Sequence, residues 1–278
     1  MRTVSVLPMR PLTLGELLDA AVALLRCHTR ALVGVALVLC ALEQAALYPL
    51  RTAAGVTPPW YFPAHADRPV QFWLMLGVGF ATEAAIIALL GVLAARAAGA
   101  SVVGTNLPDN ALLGARGGRF GAGLALAVVV GLSAGVAAMA GLLPWFFAYG
   151  LLGLGAPVLV IERRGPFGAI GRSMALSARM VGRAVGIRLI GYAGWLAIRV
   201  ALGAGGVAAL ELVLPATRHW ETIISFVTWV IVDALAYPTL ACLDAVLYLE
   251  TRMRTEGLDI SIALSQRRGV PTDLAVPR

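Results

Sequence analysis

The sequence predicts an all-α fold: a polytopic membrane helix bundle of six transmembrane helices, arranged as three hairpins, each preceded by a cytoplasmic amphipathic helix. Three observations predict it. Hydrophobic residues make up 59% of the 278 positions and charged residues only 13%, whereas soluble domains run at about 45–50% apolar and about 25% charged. Six apolar stretches reach the roughly 20 residues that a helix needs to cross a bilayer. The 22 basic residues, all arginine, gather on alternate linkers. Together with a mean hydropathy of +0.84, these features exclude a soluble globular enzyme and a disordered chain, and leave no room for a separate soluble domain.

Taken in chain order, residues 1–30 are not a signal peptide, because the first apolar run begins only at Ala31 and no small-residue cleavage pattern follows a short core. Thr13 and Glu16 form a Thr-x-x-Glu capping box that starts a helix at Leu14. Leu14, Leu17, Leu18, Ala21 and Leu25 then recur at helical spacing. The predicted spans are Ala31–Leu50, Phe72–Ala95, Phe120–Met139, Leu142–Ile161, Ala184–Leu214 and Ile223–Leu249. The third and fourth are split at Ala140–Gly141, since one helix of that combined length overshoots the hydrocarbon core. The fifth is too long for one straight span and is expected to tilt or break near Gly203, Gly205 and Gly206, while Pro238 kinks the sixth. Trp60, Tyr61 and Phe62 in the first outer loop read as an interfacial aromatic cap or, equally, as an ordinary loop. Residues 1–256 form the membrane domain, and 257–278 a flexible cytoplasmic tail.

Seventeen arginines fall on one set of linkers and only Arg51, Arg68 and Arg218 on the other. By the positive-inside rule both termini are cytoplasmic, in a bacterial cytoplasmic membrane. Segments of this side precede spans 1, 3 and 5. Gly165-Pro166 opens the third of them, with Phe167, Ile170, Met174 and Val181 on one face and Arg172, Arg179 and Arg183 on another. Leu14, Leu17 and Ala21 align with Phe167, Ile170 and Met174, and Arg26 and Arg30 align with Arg179 and Arg183. The middle segment, Pro108 to Arg119, matches only weakly. The pattern reads as three parallel repeats of one unit, with Arg26, Arg30, Arg172, Arg179 and Arg183 toward anionic lipid or a partner; the alternative is connecting helices packed on the bundle end. Small-xxx-small spacing at Gly131/Gly135 and Gly182/Gly186 suggests close helix approach, a weak signal in a chain with 31 glycines.

Glu43, Glu83, Arg188, Arg199, Asp233 and Asp244 fall within spans, where charge is expensive and normally paired or functional. Arg188 and Arg199 stand eleven residues apart on span 5, as do Asp233 and Asp244 on span 6. Eleven residues make almost three helical turns, so each pair lies on one face. The spans run antiparallel, which predicts two stacked ion pairs, Arg188–Asp244 and Arg199–Asp233. Glu43 and Glu83 fall at similar depth on spans 1 and 2. A polar cluster therefore draws on spans 1, 2, 5 and 6, either as structural pairing or as a proton, ion or headgroup path.

Nucleic-acid binding is not expected, because the arginines are scattered and lack interleaved aromatics. Cys27, Cys40 and Cys242 have no motif spacing, and His28, His65 and His219 stand alone, so neither a disulfide framework nor a metal site is expected. No cofactor is expected.

Several words carry a resemblance: Arg10-Pro11-Leu12-Thr13-Leu14-Gly15-Glu16-Leu17-Leu18-Asp19, then Glu162-Arg163-Arg164-Gly165-Pro166 with Arg172-Ser173, and Leu247-Tyr248-Leu249 leading to Arg252-Met253-Arg254-Thr255-Glu256-Gly257-Leu258-Asp259. Over nearly its whole length the chain resembles actinobacterial six-span proteins labelled as the membrane domain of glycerophosphoryl diester phosphodiesterase. Met174 departs from the aromatic common in that family after Arg-Ser. The resemblance implies membrane residence and architecture. Phosphodiesterase chemistry is not expected, since the chain lacks the long alternation of strands and helices and the clustered metal ligands of the catalytic domain. The expected function is a non-catalytic membrane scaffold or accessory subunit that engages anionic lipid and a cytoplasmic or membrane protein partner. The alternative is a transporter or permease component using the intramembrane charges, and a third reading is a membrane-embedded lipid enzyme.

Overall fold

The computed structural model describes residues 10, 12–56, 68–105, 107–114, 119–179, 182–213, 220–268 and 274. Trp60, Tyr61, Phe62, Val181, His65 and His219 lie outside them, as do Arg2, Arg116, Arg218 and Arg278 of the charge count.

Among the described residues the chain is all-helical. α1 is Leu14–Cys27, α2 Thr29–Ala54, α3 Pro69–Val103, α4 Asp109–Leu113, α5 Phe120–Met139, α6 Leu142–Leu152 and α7 Gly155–Ile161. There follow α8 Pro166–Arg179, α9 Arg183–Val200, a π segment Ala201–Gly205, α10 Gly206–Val213, α11 Glu221–Glu256 and α12 Leu258–Arg268. Six stretches are long and apolar enough to cross a membrane: Thr29–Ala54, Pro69–Val103, Phe120–Met139, Leu142–Ile161, Arg183–Leu210 and Glu221–Glu256. This is the architecture of a multi-pass membrane protein.

Each start and stop has a local cause. The Thr13 hydroxyl accepts from the Glu16 amide and the Glu16 carboxylate accepts from the Thr13 amide, so the predicted capping box is formed. The turn between spans 3 and 4 falls at Ala140–Gly141, where Gly141 has φ +119°, a value that side chains disfavour. The fifth span changes to π geometry at Ala201–Gly205, where the sequence predicts a break, and Gly203 lies against the Trp229 ring. The fourth span differs from the single helix predicted: α6 ends at Leu152, and Gly153 and Leu154 form a turn before α7.

α3 and α11 form the centre. At 35 and 36 residues, each extends roughly 50 Å at 1.5 Å per residue, well beyond a core of about 30 Å. α3 packs on α2, α5, α7 and α11, and α11 packs on α1, α2, α3 and α9. The α3–α5 seam is the most extensive. A Cβ on Gly131 would stand 2.7 Å from the Ala81 carbonyl oxygen, and one on Gly135 would stand 2.8 Å from that of Gly77. The backbones meet there because neither glycine carries a side chain. Gly186 touches nothing comparable, so the second small-residue pair marks no helix seam. Span 5 is the least enclosed, and the outward faces of α5 and α9 carry exposed Leu132, Val136, Ile190 and Leu196, as lipid-facing surfaces do.

The start of α1 and the last turns of α11 meet at one end of the bundle. Arg183 and Arg254 both donate to the Leu12 carbonyl, at 2.9 and 3.0 Å. Both described termini therefore share this end, called here the arginine-rich end. The chain beyond Glu256 is not simply a free tail: α12 buries Leu258 and Ile262, and the Leu274 carbonyl accepts from Arg252 at 2.6 Å.

Candidate functional site

Halfway along the bundle, Arg199 of α9 directs each nitrogen of its fork to a different acceptor. Nε donates to Asp233 at 2.7 Å, Nη1 to Glu83 at 2.9 Å and Nη2 to the Tyr237 hydroxyl at 3.1 Å. Tyr237 passes a hydrogen bond to Glu43 at 3.0 Å, and Thr82 donates to the other Glu43 oxygen at 2.7 Å. Asp233 also accepts from Gln44 at 3.0 Å, and Gln44 accepts from Arg51 at 2.7 Å. α2, α3, α9 and α11 all contribute, which are the four spans the sequence predicts. Tyr237 and Gln44 belong to the network without being foreseen, because neither carries a charge that would stand out in an apolar run. Glu43, Gln44, Glu83, Arg199, Asp233 and Tyr237 are all buried. An arginine fork suits this position because a guanidinium supplies several fixed donors at once.

One register toward the arginine-rich end, Arg188 forms a two-point bridge to Asp244, with Nε donating at 2.5 Å and Nη2 at 3.0 Å. Both predicted pairs are thus present and stacked. The turn in span 4 explains where the guanidinium fits. It lies 4.1 Å from the Tyr149 ring centroid and against the backbone of Gly153, where a Cβ would collide with it. Nη1 meets no acceptor among the described residues, and Arg188 lines a cavity of about 20 Å³ between α3, α5 and α6, a volume that suits a single water.

A third cluster occupies the arginine-rich end. Glu162 accepts from Arg164 at 2.8 Å, Arg172 at 3.1 Å and the Tyr248 hydroxyl at 3.0 Å. Glu256 accepts from Arg252 at 3.0 Å, from Arg179 at 3.4 Å, and from Arg172. Glu250 accepts from Arg183 at 3.2 Å and from Arg254. Burial works against the charge on Arg172, but the hydrogen bonds to Glu256 and Glu162 outweigh it and hold that guanidinium's pKa above its ordinary value. α8 is pinned further by Ser173, whose hydroxyl donates to the Leu151 carbonyl at 2.6 Å beside the span 4 turn. The helix consequently buries Ala169, Ser173, Leu176 and Ser177, while Phe167 and Met174 of the predicted apolar face point outward.

The arginines predicted to face lipid or a partner therefore divide. Arg26 and Arg30 are exposed, and Arg179 is half exposed while reaching Glu256. Arg172 and Arg183 are drawn into ion pairs within the chain. Glu162, Tyr248, Glu250, Arg252 and Glu256 were not foreseen as site residues. The i, i+4 spacing of Arg252/Glu256 and Glu250/Arg254 was a readable signal for part of the cluster. The three sequence words behind the resemblance converge here: Leu12 from the first, Glu162, Arg164 and Arg172 from the second, and Tyr248, Arg252, Arg254 and Glu256 from the third.

No known protein family, characterised protein or solved structure matches the chain. No group of three or more metal-ligating side chains occurs among the described residues. His28 is buried and shares a 3.1 Å contact with Asp109 of α4, a tie between helices at the arginine-rich end.

Proposed function

We propose that the chain is a non-catalytic integral membrane scaffold or accessory subunit of a bacterial cytoplasmic membrane. In this reading both termini are cytoplasmic, and the arginine-rich end engages anionic lipid and a cytoplasmic or membrane protein partner. The three-hairpin plan, each hairpin led by an amphipathic helix, belongs to the same reading. So does kinship with the six-span membrane-domain family named above, without phosphodiesterase chemistry.

The observation that carries it is the rim of the arginine-rich end. Phe167 and Met174 project outward from α8, and Arg26, Arg30 and Arg179 stand exposed on the same end. Apolar side chains set among arginines fit the headgroup layer of an anionic membrane, where each basic residue contributes about 1 kcal/mol. Arg172 and Arg183 then act as ties that hold α8 and α9 in place. The test is the triple substitution Arg26→Gln, Arg30→Gln and Arg179→Gln. The variant is expected to insert and fold, yet to lose bound anionic lipid in native mass spectrometry and its partner in cross-linking. Retention of both would overturn the reading.

A second reading, a transporter or permease component, is favoured by one observation. Each intramembrane arginine sits beside an irregular helix: Arg188 at the span 4 turn, and Arg199 just before the π segment of span 5. Interrupted helices recur at transporter binding sites. Solute flux in proteoliposomes that disappears in Arg199→Leu would favour it.

A further inference from the structure

A groove of about 310 Å³ opens at the arginine-rich end, between the last turns of α3 and the end of α7. Gly99, Val103, Ile161 and Leu274 give it an apolar wall, and Arg96 and Arg163 give it positive charge. Arg96 directly follows Ala95, where the sequence predicts that the second span leaves the hydrocarbon. On that prediction the groove lies at headgroup depth.

Arg163 is the unusual residue. It has φ +55°, in the left-handed region that a Cβ crowds and that glycine ordinarily occupies. Its neighbours Glu162 and Arg164 turn into the ion cluster and bond to each other at 2.8 Å. Arg163, at the left-handed turn between them, instead lines the groove, is exposed and joins none of the ion pairs of this end among the described residues. The other non-glycine residue with positive φ among those described is also an arginine. Arg119, at φ +48°, donates to the Leu159 carbonyl at 3.3 Å, on the same end of α7. Arg96 donates to the carbonyls of Leu112, Ala111 and Gly114, which holds α4 close to this end of α3. The chain thus accepts backbone strain at an arginine that makes no hydrogen bond or ion pair among the described residues and lines a groove with an apolar wall.

We propose that this groove binds the phosphate headgroup of an anionic phospholipid, with Arg163 as the charge that meets the phosphate. A guanidinium matches phosphate oxygens with paired donors. The wall of Val103, Ile161 and Leu274 accommodates the glycerol and first methylenes of a lipid, surface for which a free phosphate has no use. The proposal rests on the reading that the arginine-rich end engages anionic lipid, and names a site for it.

The test uses the full chain in nanodiscs of phosphatidylglycerol and phosphatidylcholine, with retained lipid counted by native mass spectrometry. Arg163→Gly removes the charge and relieves the left-handed backbone. It is expected to keep or raise the melting temperature while weakening one tightly held phosphatidylglycerol by roughly fivefold, the effect of one basic residue at an anionic headgroup. Arg163→Lys is expected to keep most of that binding. Unchanged retention in Arg163→Gly would overturn the site, and displacement of the lipid by millimolar inorganic phosphate would overturn its assignment to a lipid. If Arg26→Gln, Arg30→Gln and Arg179→Gln together shed lipid and Arg163→Gly does not, the groove alone fails. If neither sheds lipid, the wider reading fails with it.

Discussion

Halfway along the bundle, three carboxyl groups, those of Glu43, Glu83 and Asp233, surround the guanidinium of Arg199, directly or through Tyr237, and Arg51 reaches Asp233 only through Gln44. At the arginine-rich end the ratio inverts. There, among the described residues, Arg164, Arg172, Arg179, Arg183, Arg252 and Arg254 share Glu162, Glu250 and Glu256. The middle is rich in acid and closed; the end is rich in base and partly open. Asp233 is fully buried, whereas the Arg179 side chain keeps 54% of its surface exposed. The same pairing chemistry therefore carries different weight. A buried pair that loses one partner leaves an uncompensated charge, while an exposed pair is screened and worth about 0–1 kcal/mol. Excess base at the end is tolerable because water and anions reach it. Excess acid in the middle has to be met by donors from the chain, and Tyr237, Thr82 and Gln44 supply them.

The largest expected effect breaks the middle. Arg199→Leu strands Asp233 and Glu83 together and is expected to cost about 3–5 kcal/mol of stability, measured by unfolding in mixed micelles. Adding Asp233→Leu is expected to recover only part of the loss, because Glu83 stays buried without its guanidinium. Full recovery would mean that Glu83 does not belong to the network.

At the arginine-rich end the effects are smaller and graded by burial. Arg172→Gln unties Glu162 and Glu256 at once and is expected to loosen α8, read as faster amide exchange at Ser173 and Leu176. Arg179→Gln removes one exposed contact to Glu256, and a change below about 1 kcal/mol is expected. Equal effects of the two substitutions would erase the distinction by burial.

The smallest effect lies at the start of α1. Hydrogen bonds from Arg10 and Thr13 hold the Glu16 carboxyl down to about 2. A lowered folded-state pKa stabilises the native form fully above the ordinary carboxylate value and loses that contribution as pH falls through the folded value. The cap is therefore expected to hold above pH 4.5 and to weaken as pH falls toward about 2. Amide-exchange protection of α1 in the wild type, compared with Glu16→Gln at matched pH, should differ at neutral pH and converge at the acid end, where the Glu16 carboxyl is protonated.

How much of this was legible in the sequence follows from the same contrast. Arg188, Arg199, Asp233 and Asp244 stand out because charges inside apolar runs are rare, and their spacing of eleven fixes both face and depth on antiparallel helices. Glu43 and Glu83 were visible for the same reason, and the Thr13/Glu16 cap is a local pattern that needs no tertiary knowledge. At the arginine-rich end charge is common, so pattern does not say which arginine meets which carboxylate. Phe167, Ile170 and Met174 read as the apolar face of α8; Ile170 packs on the core, but Phe167 and Met174 stand exposed, while Ser173, bonded to the Leu151 carbonyl, faces inward with Ala169, Leu176 and Ser177. The turn in span 4 was hidden too. Gly153 is one glycine among many, and its significance comes from Arg188, which arrives from another helix.

The central claim, that charges on separate spans lock the bundle by pairing across it, is tested most directly at Arg188 and Asp244, which share both bonds and, among the described residues, no second carboxylate. A double-mutant cycle with Arg188→Leu and Asp244→Leu measures it. The prediction is strong non-additivity: each single change costs more stability than the double change, with a coupling energy of about 2–3 kcal/mol. Losses that simply add, with the double variant as unstable as the sum of the singles, would contradict the claim.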